Sequence, residues 1–254
     1  MQEKIKFEGK CLFCGKTFAK AGINRHLITH LNEKNNAEGI SFLIKVETNP
    51  RWGKTPYFLS LWIDGEAKLE QLDKFLRDIW LECCGHMSAF RYKQTENPTT
   101  NFNSMLKSIT QPRVQTGEFD EIPLKKKAKN VFCPDLKLDY EYDFGSSTEL
   151  EISVVDLFPY KADKDIVLLS RNEPPEILCS TCNKVPATQI CTVCLEEEVA
   201  FFCDKCAKKH AKECEDFADY ASMPVVNSPR MGVCAYEGGR IDTERDKVFV
   251  LKKY

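Results

Sequence analysis

Apolar and polar side chains alternate along "LKLDYEYDF" (residues 136–144). Leu136, Leu138, Tyr140, Tyr142 and Phe144 fall on one face, and Lys137, Asp139, Glu141 and Asp143 on the other. After "GSS" the alternation resumes in "TELEISVVDLF", where Leu150, Ile152 and Val154 oppose Glu149 and Glu151. A period of two with one wet face predicts an antiparallel hairpin. Two further runs, "ISFLIKV" (40–46) and "YFLSLWI" (57–63), are rich in β-branched and aromatic residues and predict paired strands; "DIVLLS" (165–170) predicts another. The period changes in "EAKLEQLDKFLRDIWLECCGH". There Leu69, Leu72, Phe75, Leu76, Ile79 and Trp80 recur at steps of three and four, predicting one long amphipathic helix with Gly85 at its C-cap. Residues 94–130, with Pro98, Pro112 and Pro123, read as short elements and exposed loop, and "KVFVLKK" (247–253) as a weak closing strand. Strands, a long helix and more strands make an α+β protein with a mostly antiparallel sheet.

Composition adds a class and a compartment. With 254 residues, 43% hydrophobic and 29% charged, the chain suits one large or two to three small globular domains. No apolar run is long enough to span a bilayer, and the charged N-terminus lacks the apolar stretch of a secretion signal, so a cytoplasmic location without a membrane partner is expected. In a reducing compartment thirteen cysteines read as metal ligands or core thiols rather than disulfides. The net charge of −2 is uneven: about +3 over 1–38, +3 over 39–130, −7 over 131–177 and −1 over 178–254. A dedicated nucleic-acid binder would be basic overall.

The cysteines are not scattered. "CLFCGKTFAKAGINRHLITH" (11–30) has the spacing Cys-x2-Cys-x11-His-x3-His, so Cys11 and Cys14 can chelate from one turn while His26 and His30 share a helix face. The stretch resembles a C2H2 zinc finger with a slightly short spacer, and Phe18 and Ile23 occupy its two core positions. The three helix positions that in such a finger reach base edges hold Ala19, Gly22 and Arg25, and only Arg25 can make a bidentate base contact. Further on come Cys179/Cys182, Cys191/Cys194, Cys203/Cys206 and His210/Cys214, eight ligands for two tetrahedral zinc ions. If "DKCAKKHAKEC" is helical, Cys206 and Cys214 stand about 12 Å apart along the axis. Two thiolates on one zinc can be no more than about 4.6 Å apart. The simplest pairing is therefore interleaved: Cys179, Cys182, Cys203 and Cys206 on one ion, and Cys191, Cys194, His210 and Cys214 on the other. That layout resembles the cross-braced B-box and MYND fingers, which mostly bind proteins. A sequential layout remains open if the helix is broken. Cys133 and Cys234 read as spare buried thiols.

"LDKFLRDIWLECCGHMSAF" followed by "YEYDFGSSTELEI" resembles the pRi-plasmid open-reading-frame-three-like family of bacterial insertion-element passenger proteins, over about residues 40–170. "PVVNSPRMGVCAYEG" is similar to its extended members. The resemblance implies an α+β domain and a link to mobile elements, but no settled biochemical role.

The expected organisation is a C2H2-like finger over 1–38, an α+β domain over 39–172 and a cross-braced two-zinc module with a strand extension over 173–254. The leading reading is a non-enzymatic adaptor stabilised by three zinc ions, with a protein partner expected ahead of nucleic acid. Nucleic acid would be met by Arg25 and by Lys125, Lys126, Lys127 and Lys129. The alternative is a metal-dependent nuclease or hydrolase. It would use the acidic hairpin face (Asp139, Glu141, Asp143, Glu149, Glu151) or Cys83 and Cys84 with His86.

Overall fold

The computed structural model describes residues 7–34, 36–49, 55–93, 121–197 and 199–245. The short strands β1 (Glu8–Cys11) and β2 (Thr17–Ala19) lead into helix α1 (Ile23–Asn32). Strands β3 (Glu38–Thr48) and β4 (Phe58–Asp64) are followed by helix α2 (Leu69–Leu76), β5 (Ser88–Tyr92), β6 (Lys137–Tyr142), β7 (Thr148–Tyr160) and β8 (Ile166–Asn172). These eight strands form one antiparallel sheet in the order β2-β1-β8-β4-β3-β7-β6-β5. A second sheet, in the order β10-β9-β11, joins β9 (Gln189–Cys191), β10 (Phe201–Phe202) and β11 (Ser222–Pro224). Helix α3 (Asp204–His210) lies beside it. The class is α+β with a mostly antiparallel sheet.

Both faces of the large sheet are covered, which explains the mostly apolar runs of β3 and β4. All seven residues of β4 are buried. On one face Phe42, Ile44, Leu61, Tyr140 and Ile152 pack with Leu72, Leu76, Ile79 and Trp80. On the other, Leu43, Phe58, Trp62 and Phe158 pack with Ile23, Leu27 and Leu31 of α1, which recur at every fourth residue on one stripe of the helix. Through β1, whose Lys10 pairs with Arg171 of β8, the N-terminal cysteine–histidine segment extends the sheet rather than hanging from it.

The stripe expected of one long helix is present, but the helix is not. After Leu76 the chain widens into a π-helical turn, Arg77–Leu81, in which the Glu82 amide donates to the Arg77 carbonyl. The C-terminal strap, residues 226–245, explains the widening. The Arg240 amide donates to the Asp78 carbonyl (2.6 Å), and the Ser228 hydroxyl donates to the Trp80 carbonyl (2.7 Å), so these acceptors point outward instead of along the axis. Gly85 follows the turn at φ +80 and is not a helix cap; its amide donates to Glu82 Oε1.

The strap lies so close that a β-carbon on Gly239 would stand 2.3 Å from the Ile79 carbonyl oxygen. Gly239→Ala is therefore expected to lift the strap and destabilise the protein by about 1–3 kcal/mol, as overpacking does. A chemical-denaturation midpoint unchanged from wild type would contradict this.

Two details of the hairpin differ from the alternating pattern. Asp143, at φ 65, turns inward and is buried, and Phe144 is 43% exposed. Strand β5, which pairs with β6 at the sheet edge, was not expected from the sequence. The closing strand expected at 247–253 lies outside the described residues.

Candidate metal centres

Four groups of Cys and His side chains converge, each with its ligand atoms within 4.8 Å of one another. They are Cys11, Cys14, His26 and His30; Cys179, Cys182, Cys203 and Cys206; Cys191, Cys194, His210 and Cys214; and Cys83, Cys84, His86 and Cys234.

Local backbone builds the first group. Cys11 and Cys14 sit on a tight turn in which the Gly15 amide donates to the Cys11 carbonyl (2.8 Å) and the Cys11 amide to the Lys16 carbonyl (2.8 Å). The turn closes because Gly15 adopts φ +74. His26 and His30 project from one face of α1, with Nε2 atoms 3.2 Å apart, and Cys14 Sγ is 3.2 Å from His26 Nε2. Phe18 stacks on the His26 ring at 4.0 Å. Burial, with help from His30 and Lys16, lowers the His26 pKa and favours the neutral imidazole that a metal requires.

Cys179 and Cys182 repeat that turn. The Asn183 amide donates to the Cys179 carbonyl (2.9 Å) with Asn183 at φ 53, in the role that Gly15 plays above. Burial alone would raise the Cys179 thiol, but the backbone amides of Cys182, Cys203 and Thr181 outweigh it and bring the pKa down to about 6, favouring thiolate. Cys203 sits at the N-cap of α3, Cys206 lies in its first turn, and Cys182 Sγ is 4.0 Å from Cys203 Sγ.

One helical turn after Cys206, His210 belongs to the next group, 3.7 Å from Cys194 Sγ. Its ring stacks on Phe202 at 4.1 Å. The helix expected to run through Cys214 ends at His210. Cys214 follows on a turn closed by its amide donating to the His210 carbonyl (2.8 Å). The grouping is interleaved along the chain, and the adjacent turns of α3 serve different sites.

At Cys84, Cys194 and Cys206 the proton is held, with pKa values pushed up to about 12. Neighbouring thiols are the leading cause at Cys84, and burial followed by neighbouring thiols at the other two. Thiols crowded this closely could all ionise together only around a shared cation. Sets of four thiolate and imidazole ligands suit zinc, which takes them tetrahedrally.

The Cys83/Cys84/His86 cluster considered above as a nucleophile–base pair therefore has a fourth member, Cys234. Cys234 is not a buried spare but an exposed thiol 3.6 Å from Cys84 Sγ. The signal available in the sequence was its place in "RMGVCAYEGG", a run of turn residues. Nothing local joins it to a position 150 residues earlier.

The acidic hairpin face does not gather into a cation site. Glu151 is buried between Lys93 and Lys137; Glu141 accepts from Arg91 (2.7 Å) and the Ser147 hydroxyl; and Glu149 accepts from Asn49 (3.0 Å). Asp143 lies on the other side, bound by Arg230 at 2.6 Å. Of the four lysines, Lys127 and Lys129 both pair with Glu66, whereas Lys125 and Lys126 are exposed. Arg25 is exposed on α1, Gly22 is the helix N-cap, and Ala19 ends β2.

Among the described residues no helix is long and apolar enough to cross a membrane. No family model and no curated protein matches the chain. A solved structure, the protein of unknown function MM3350 from Methanosarcina mazei Go1, shares 17% identity over 53% of this chain and 68% of that one, with a TM-score of 0.36. That score is too low for the likeness to bear on fold or function.

Proposed function

We propose that the protein is a zinc-stabilised, non-enzymatic interaction protein whose finger modules present surfaces to a protein partner. The observation that carries this reading is that the two C-terminal groups and the N-terminal group each supply four protein ligands. A zinc held by four side chains has no open position for an activated water and works by fixing the chain. Three such ions are expected from these groups.

The exposed apolar residues support a protein partner. Leu12 and Phe13 lie within the first cysteine turn, Val193 lies between Cys191 and Cys194, and Leu195, Val199 and Tyr220 are exposed in the same C-terminal module. Apolar side chains held out on rigid zinc turns are poor partners for phosphate and good ones for an apolar protein surface. The sequence resemblance to plasmid and insertion-element proteins supports a partner from a mobile element as part of the same proposal.

The test uses the full chain as bait in lysate. Val193→Glu together with Leu195→Glu is expected to reduce capture of the principal bound protein at least tenfold, and nuclease treatment to leave that capture unchanged. Arg25→Ala is expected to leave retention on DNA unchanged for every sequence tried. Capture abolished by nuclease, or lost with Arg25→Ala on one preferred DNA site, would favour nucleic acid instead.

A further inference from the structure

The strap that widens the π turn also delivers Cys234 to the end of that turn. Cys84 Sγ there lies 3.5 Å from Cys83 Sγ, 3.6 Å from Cys234 Sγ and 3.0 Å from His86 Nε2, and that Nε2 lies 3.3 Å from Cys234 Sγ. A tetrahedral zinc ion, with bonds of about 2.3 Å to sulfur and about 2.0 Å to nitrogen, spaces its ligand atoms roughly 3.5–3.8 Å apart. A disulfide needs about 2.05 Å between sulfurs. We propose that Cys83, Cys84, His86 and Cys234 bind a further zinc ion, beyond the three of the finger modules, which fastens the C-terminal strap to the end of the π turn.

Three features of the surroundings fit a metal better than a catalytic dyad. First, the histidine presents one nitrogen to everything. His86 Nε2 faces both Cys84 and Cys234 and lies 3.4 Å from Asp143 Oδ2. A nucleophile–base pair needs its orienting carboxylate on the other ring nitrogen, whereas a ligand needs one nitrogen aimed at the centre of a thiol group. Second, the backbone is bent to present these side chains. Gly85 adopts φ +80, and Cys234 and Ala235 adopt φ 50 and 54 in succession. Left-handed conformations at non-glycine residues cost free energy and persist where surrounding interactions fix them. Third, an outer shell is present. Arg230, fully buried, places a guanidinium nitrogen 3.6 Å from Cys83 Sγ while holding Asp143 and donating to the Ser146 carbonyl (2.9 Å). Three thiolates and one imidazole around a divalent ion carry a net charge of −1, and a fixed cation beside the set offsets it.

Adjacent cysteines are an awkward pair for one ion when they continue a regular helix. Here the helix has already ended, and Glu82 is extended at ψ 115. The backbone reversal at Gly85 then lets Cys83, Cys84 and His86 face one point.

Elemental analysis of the full chain, purified under reducing conditions, is expected to find four zinc ions per chain, and Cys234→Ser three. Cadmium substitution of the unmutated protein gives a second reading that does not depend on a variant folding: four cadmium resonances are expected. Three zinc ions and three resonances, with Cys83, Cys84 and Cys234 alkylated by iodoacetamide in the folded protein, would overturn the proposal. So would a Cys84–Cys234 disulfide in the mass spectrum. Failure of the three-zinc reading looks different, because alkylation would then fall on Cys11, Cys179 or Cys191 and their group members.

Discussion

Stripping metal from the folded protein with a strong chelator at neutral pH is expected to unfold the region 177–225 and to leave the eight-stranded sheet standing. The two apolar clusters of the C-terminal module are small. One rests on Ala187, Ile190, Ala200 and Val225, the other on Cys191, Phe202, Ala207, Phe217 and Ala221. Several of these bury only a methyl group, and a segment of this size lacks the apolar area to offset the entropy of ordering its chain. Structural zinc supplies about 10–16 kcal/mol of binding free energy per site, which in such a module is folding free energy. The central sheet and the turn packed on it have Phe42, Trp62, Trp80, Tyr140 and Tyr142 fully buried and are expected to stand without metal. Helix α1 is intermediate. Losing its ion frees His26 and His30, but Ile23, Leu27 and Leu31 remain packed on Trp62 and Phe158. Hydrogen exchange followed by mass spectrometry separates these outcomes. Amides of β9 and α3 should lose protection on chelation, those of α1 in part, and those of β3, β4 and β7 not at all. Uniform protection with and without chelator would show that the cysteine groups are core thiols.

Replacing Arg171 with methionine is expected to cost about 3–5 kcal/mol, as breaking a buried ion pair does. At roughly 2–4 °C per kcal/mol for a chain of this size, the melting temperature should fall by about 6–20 °C. Arg171 is fully buried on β8. One guanidinium nitrogen donates to the Asp242 carbonyl and carboxylate, both at 3.2 Å, and the other to the Asn227 carbonyl. Next to it, the Asn172 side chain donates to Asn227 Oδ1 (2.7 Å), and Asn227 donates back to the Asn172 carbonyl (3.3 Å). Methionine keeps the apolar stem but leaves the Asn227 and Asp242 carbonyls without their charged donor and the Asp242 carboxylate with Arg245 as its remaining partner, so the cost reports the ionic interactions more than packing. Arg171→Lys should fall between, because an ammonium keeps the charge and loses the fork. A change below about 1 kcal/mol in the methionine variant would mean that the strap's other contacts, among them those of Asn172, Ser228, Arg230 and Arg240, hold it without the Arg171 side chain.

The legible parts of this fold were those with a local period. Alternation in 136–142 and 148–154 marked β6 and β7, and runs rich in β-branched and aromatic residues marked β3 and β4. The acidic face looks like a candidate cation site in the sequence because its partners come from elsewhere in the chain: Arg91 arrives on β5, a strand of five residues with no distinctive alternation, and Lys93 directly after it. The long helix was misjudged for a similar reason. Leu69 to Trp80 keep their apolar spacing, but the shape of the last turn is set by Arg240 and Ser228, more than 140 residues later.

The sequence by itself determined which side chains of the N-terminal group and the two C-terminal groups are able to hold metal, because two cysteines three apart on a tight turn, or two ligands one helical turn apart, are brought together by local backbone geometry alone. Tertiary structure decided the rest. It joined β1 to β8 so that the N-terminal segment extends the sheet, turned Asp143 inward onto Arg230, and carried Cys234 across to Cys84. The physical reason is separation along the chain: a contact across 150 residues is selected by the packing of both ends on a common core, and no periodicity near either end records it.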